Sequence, residues 1–128
     1  MDSLIQILRT GSPRAAYQAG KELVGFGHAA EEPLIGLLRA QQDPFKQREI
    51  LNILQAIKIS KPDSVERVVQ LLRHPQDFVR GPAAQCLLHS SPKLRQYIPL
   101  IQAAFKQEKD AQIKATLQKL LSRYPGGS

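Results

Sequence analysis

A short motif that returns at a fixed interval constrains this chain more than any other feature. Leu37-Leu38-Arg39 recurs as Leu71-Leu72-Arg73, an offset of 34. At the same offset Asp43 recurs as Asp77, and Phe45-Lys46 as Val79-Arg80. Pro33-Leu34-Ile35 recurs as Pro99-Leu100-Ile101 at an offset of 66, two units of about 33. Ile7-Leu8-Arg9 is an earlier copy at shorter spacing, and Asp110, Ile113 and Lys114 a later, drifted one. Each unit must therefore fold in the same way, within little more than thirty residues.

Within the units the apolar residues follow helical spacing. Ile50, Leu51, Leu54 and Ile57 form one stripe on a helix of 3.6 residues per turn, and Val65, Val68, Val69 and Leu72 form another. Ile113, Leu117, Leu120, Leu121 and Tyr124 repeat the pattern. No sustained period-2 alternation and no Asn-Gly or Asp-Gly turn occurs. Ser12-Pro13 and Asp43-Pro44 read as a capping residue followed by proline at the first helical position, where the missing N–H costs nothing. Asp77 is a further candidate cap. The pattern predicts helices at 2–9, 13–25, 29–40, 44–59, 63–73, 77–89, 93–107 and 109–124. Gly81-Pro82 falls inside the sixth, where proline removes a backbone hydrogen bond and predicts a kink. Gly25 or Gly27 is expected at a left-handed cap closing the second.

Two helices per period of this length is the signature of an α-solenoid, in which no unit buries its apolar face alone. The expected fold is all-α, with about eight helices in one domain over 1–124. Three complete helix pairs are flanked by capping helices, and 125–128 form a flexible tail. Lys114, Gln118, Lys119 and Arg123 give the last helix the polar outer face that a solenoid cap requires.

Segment 71–88 resembles a HEAT repeat, closest to the short HEAT-like units named after the phycobilisome lyases. Asp77, Val79, Arg80, Ala83, Ala84 and Leu87 carry the resemblance. It implies a right-handed superhelical stack of helical hairpins, with a ladder of side-chain bonds linking successive turns. Asp43, Asp77 and Arg80 take the ladder positions. Lys46 and Lys114 stand where Arg80 does, and lysine cannot copy a bidentate guanidinium fork. The resemblance also raises a phycobilin lyase-like or phycobilisome-associated role, a remote alternative because three repeats are too few to enclose a tetrapyrrole.

No constellation for catalysis is visible. His28, His74 and His89 lie outside any HExxH or HxxxH pattern, and Cys86 is the single cysteine, so neither a disulfide nor a multi-cysteine metal site is expected. Deoxyhypusine hydroxylase, a HEAT-like enzyme family, holds iron through His-Glu pairs, whereas no histidine here precedes a glutamate. Cys86 lies in an Ala-Ala-Gln-Cys-Leu-Leu stretch that reads as core. Glu31-Glu32 reads as favourable charge at a helix N-terminus. Gly25-Phe26-Gly27 lacks the Lys-Ser/Thr of a phosphate loop. No cofactor and no metal are expected. The chain is expected to be a soluble, cytoplasmic, non-catalytic domain, since no apolar run approaches the ~18 residues of a membrane span.

Charge supplies the functional lead. Residues 65–128 hold 10 basic and 4 acidic groups against 8 and 7 in residues 1–64. In the resembled family the second helix of each pair lines the docking face. The candidate partner-binding residues are then Arg67, Arg73, His74, Arg95, Gln102 and Lys106, a groove acidic at Glu31-Glu32 and basic toward the C-terminus. The expected partner is another protein presenting an acidic or extended segment. Nucleic-acid backbone is the alternative, as HEAT-like DNA glycosylases hold a duplex, although aromatics for base stacking are few. The oligomeric state is left open.

Overall fold

Eight α-helices and no strand are found among the residues described by the computed structural model, 1–90 and 94–124. They are α1 (Asp2–Thr10), α2 (Pro13–Gly25), α3 (Glu31–Ala40), α4 (Pro44–Ile57), α5 (Pro62–Gln70), α6 (Asp77–Leu88), α7 (Ile98–Gln107) and α8 (Ala111–Ser122). The fold is the all-α helical-repeat solenoid expected from the period. The tail at 125–128 and the expected helix start at 93 lie outside the described residues.

Local chemistry sets most of the helix ends. The Ser12 hydroxyl accepts from the Ala15 N–H at 3.2 Å and Asp43 Oδ1 from the Phe45 N–H at 2.9 Å, each with proline at the next position. Asp110 caps α8 by accepting from Gln112 and Ile113. Asp77, by contrast, is not a cap. It stands in the first turn of α6, and Gln76 at the N-cap makes no side-chain bond to the backbone. Gly27 takes the left-handed conformation (φ +61°) that follows α2.

Several helices are shorter than the apolar pattern predicts, and for α3, α7 and α4 the cause is local. Proline costs least in the first turn, where its missing N–H has no helical partner to lose. Pro33 and Pro99 therefore place the starts of α3 and α7 at Glu31 and Ile98, each preceded by a 3-10 turn (Gly27–Ala30 and Arg95–Tyr97). α4 ends at Ile57 because Lys58 enters positive φ (+65°), which lets Ile59 fold back into the core at 0% exposure. The expected 63–73 helix is α5 plus a tighter 3-10 turn at Leu71–Arg73. α6 runs unbroken through Pro82.

The helices form two layers. α2, α4, α6 and α8 pack in succession, with α4 against α6 the most intimate contact. α1, α3 and α5 form the other layer, and α7 rests on the 3-10 turn after α5. Each odd-numbered helix packs on the even-numbered one that follows it, because the turns at 11–12, 41–43, 74–76 and 108–110 are short enough to force antiparallel neighbours. The core between the layers is aliphatic: Leu34, Leu38, Leu51, Leu54 and Leu87 are fully buried, with Ala83 and Ala84 beside them. At Gly20 the helices come so close that an added Cβ would lie 3.1 Å from Ile53 Cδ1.

The Asp43 cap gives a first test. Asp43→Ala is expected to lower stability by about 1 kcal/mol, the usual value of a capping side chain. Urea unfolding reads it directly, and an unchanged midpoint would show that the Phe45 N–H is equally well served by water.

Candidate functional site

The surface with the most developed polar geometry lies where the 74–76 and 108–110 turns meet. Arg80, in the second turn of α6, donates from Nε to Glu108 Oε1 at 2.9 Å and from Nη2 to Oε2 at 3.1 Å. Its Nη1 donates to the carbonyls of His74 and Pro75, both at 3.0 Å. One guanidinium thus ties its own turn to the next. Glu108 also accepts from the Asp110 N–H, just ahead of the α8 cap. Burial opposes ionisation of Glu108, but the Arg80 and backbone hydrogen bonds outweigh it and hold its pKa below the ordinary carboxylate value.

A second tie joins the opposite ends of the helices. Glu31, fully buried at the start of α3, accepts from the Ser60 N–H, the Lys61 N–H and the hydroxyls of Ser60 and Ser64. α5 has no side-chain cap of its own, and this carboxylate from the preceding repeat instead holds the two amides just ahead of its first turn and the Ser64 hydroxyl within it. Burial again opposes the charge, and the hydrogen bonds prevail, lowering the pKa. The expected acidic end of the groove is corrected accordingly. Glu31 is consumed internally, and Glu32 pairs with Lys61 at 3.2 Å.

The Arg80–Glu108 pair forms part of the wall of a cleft of about 380 Å³ between the ends of the α5 segment and α7. Arg73, His74, Gln107 and Lys109 line its mouth. Arg73 donates to Gln107 Oε1 at 3.3 Å and also borders a second groove of about 250 Å³, with Val69, Tyr97 and the half-exposed Leu100 on its sides. His74 Nδ1 accepts from the Gln76 N–H, which requires the neutral ring. Burial, then the charges of Arg80 and Arg67, hold its pKa below the usual histidine value.

The sequence-predicted binding residues are therefore only partly gathered. Arg73 and His74 share the cleft, and Lys106 is exposed in the last turn of α7 beside it. Gln102 is half-buried in α7. Arg67 is half-buried in α5, where it donates to Gln70 and, at 3.5 Å, to the Leu38 carbonyl, leaving its buried Nε without a partner. Burial and the charge of Arg39 lower its pKa. Arg95 precedes α7 and lies over the Tyr124 ring at 6.0 Å, at the other end of that helix from Lys106. Arg67, Arg95 and Lys106 do not make one patch.

On the ladder, Asp43 and Asp77 stay within their own turns, whereas Arg80 reaches across. Glu108, its partner, and Glu31 escape a sequence reading because both bonds span about one repeat. Lys46, at the Arg80 position one repeat earlier, reaches the Leu8 carbonyl at 3.1 Å, and Lys114 lies over the Phe105 ring, so neither copies the fork. Cys86 is fully buried, and burial pushes its thiol up to about 12, which removes the thiolate needed of a nucleophile. Among the described residues no group of three or more His, Cys, Asp and Glu is placed to hold a metal ion, and no helix is long and apolar enough to cross a membrane.

A family model of HEAT repeats matches residues 1–88, which is α1 through α6. α7 and α8 lie beyond the matched span and continue the stack in the same packing. No curated protein and no solved structure matches the chain.

Proposed function

The chain belongs to the HEAT-repeat family, and from that premise we propose that it is a non-catalytic interaction module that docks an acidic, extended protein segment at its basic C-terminal half. HEAT repeats generally mediate protein–protein interaction or scaffolding. The observation that carries the finer reading is the cleft between the α5 and α7 ends. It offers Arg73 and Lys109 unpaired with any carboxylate among the described residues, on the half of the chain with 10 basic and 4 acidic groups. Its third cation, Arg80, is neutralised by Glu108 and serves as wall. Lys106, Gln102 and Arg67 flank the cleft along α7 and α5, and Arg95 makes a separate, weaker contact at the far end of α7.

Fluorescence anisotropy with a labelled oligoglutamate peptide tests this directly, beside labelled duplex DNA and single-stranded RNA across about 50–200 mM salt. Binding of the peptide is expected, with Arg73→Glu plus Lys109→Glu weakening it by roughly tenfold and Arg95→Glu by less. Tighter binding of duplex or RNA, with a steep salt slope, would replace this reading by the nucleic-acid alternative.

A further inference from the structure

The returning Leu-Leu-Arg motif acquires a spatial meaning once the layers are known. Arg9, Arg39 and Lys106 are the penultimate residues of α1, α3 and α7, and Arg73 ends the 3-10 extension of α5. All four are exposed, while Leu8, Leu38 and Leu72 just before the three arginines are buried. Cross-links bring these helix ends to one edge of the stack. Lys46 at the start of α4 bonds the Leu8 carbonyl, Arg67 the Leu38 carbonyl, and Arg73 the Gln107 side chain.

The edge therefore carries an exposed cation at each of these four helix ends, with Lys109 in the turn after the last. Among the described residues none of the four is in an ion pair. The carboxylates nearby are engaged: Glu108 by Arg80, and Asp43 and Asp110 by the amides they cap. Asp77 also lies there, its charge acting on Arg80. The negative end of each helix dipole stabilises a cation in the last turn, so the column persists without a counter-ion of its own.

Spacing then selects the partner. Helices in contact lie about 8–10 Å apart. A polyproline-II segment has three residues per turn and rises about 3.1 Å per residue, so every third side chain recurs on one side after about 9 Å. A β-strand instead repeats each face every second residue, after about 6.6–6.8 Å. We propose that Arg9, Arg39, Arg73 and Lys106 form a column that binds an extended, polyproline-II-like protein segment carrying a carboxylate at every third residue. This rests on the acidic-segment reading above and adds the register to it.

The test uses the full chain and two labelled peptides of identical composition, rich in Pro and Ser. One has Glu at every third position, and the other has the same Glu residues in one block. The spaced peptide is expected to bind roughly tenfold more tightly, since the block can satisfy only part of the column. Arg39→Gln and Arg73→Gln should each weaken the spaced peptide several-fold with the helical circular dichroism unchanged, and Arg39→Lys should retain its binding. Equal affinities for the two peptides, both reduced by Arg73→Gln, would overturn the register and leave the acidic-partner reading standing. No binding of either peptide, or their displacement by duplex DNA at equal concentration, would overturn both.

Discussion

Glu31→Ala should unfold at a markedly lower denaturant concentration, with a loss of about 3 kcal/mol at pH 7. The carboxylate is fully buried and takes up the Ser60 and Lys61 amides and the Ser60 and Ser64 hydroxyls. Truncation strands donors at the uncapped start of α5 and leaves a void between repeats. A typical hydrogen bond to a charged group contributes about 1.5–3 kcal/mol, and water reaching the exposed Ser60 recovers part of the loss. Glu31→Gln keeps one acceptor oxygen but turns an amide N–H₂ toward donors, so about half the loss is expected. Equal stability of wild type and Glu31→Ala would show that α5 begins correctly without its neighbour.

The same carboxylate sets a pH dependence whose sign is fixed. Its folded-state pKa lies below the ordinary 4.5. As pH falls, the unfolded chain takes up the proton first, so the contribution is present above about pH 5 and lost as pH drops through the folded value. Glu108, also lowered, adds to the same slope. Wild type and Glu31→Ala should therefore converge in stability toward pH 3, while Glu31→Ala keeps the part of the slope that Glu108 supplies. A gap that stays constant from pH 7 to pH 3 would assign the loss to packing rather than to the charged hydrogen bonds.

How much of this could be read from the chain depends on the reach of each interaction. Ser12, Asp43 and Gly27 act within three or four residues, and their roles are visible in the letters around them. Pro33 and Pro99 carried equally local information about where α3 and α7 start, but the apolar stripe extends past them, and periodicity alone overruns the boundary. Asp77 shows the opposite failure. It occupies the register of Asp43, yet α6 begins one residue earlier relative to it, so the same residue type falls inside the first turn. Glu31 and Glu108 act over 28 to 33 positions, and an acidic residue beside a helix start looks the same whether it faces solvent or the next repeat. For the candidate surface, the net charge of the second half located the basic region. The length of α7 separates Arg95 from Lys106, and only the packing of that helix on the turn after α5 brings Lys109 to Arg73.

Arg80→Ala is expected to cost as much as the loss of Glu31, about 3 kcal/mol, because it leaves the Glu108 carboxylate, 2% exposed, without its cation. The two carbonyls of the 74–75 turn lose their donor in the same step. Arg80→Lys should recover only part of this, since one ammonium cannot serve both carboxylate oxygens and the carbonyls behind them. Arg80→Ala with Glu108→Ala should cost less than the two single changes added, with a coupling of about 1–3 kcal/mol by a double-mutant cycle. Lys46→Ala, at the same place one repeat earlier, breaks one hydrogen bond to the Leu8 carbonyl and should cost under about 1 kcal/mol. The contrast matters for binding, because the Arg80 fork fixes the two turns from which His74 and Lys109 face the cleft. Arg80→Ala should therefore weaken the oligoglutamate peptide under conditions where the variant is still fully folded, although the charge of Arg80 is already taken up by Glu108. An additive cycle, or a folded Arg80→Ala chain that binds the peptide as wild type does, would show that the turns hold their places without the fork.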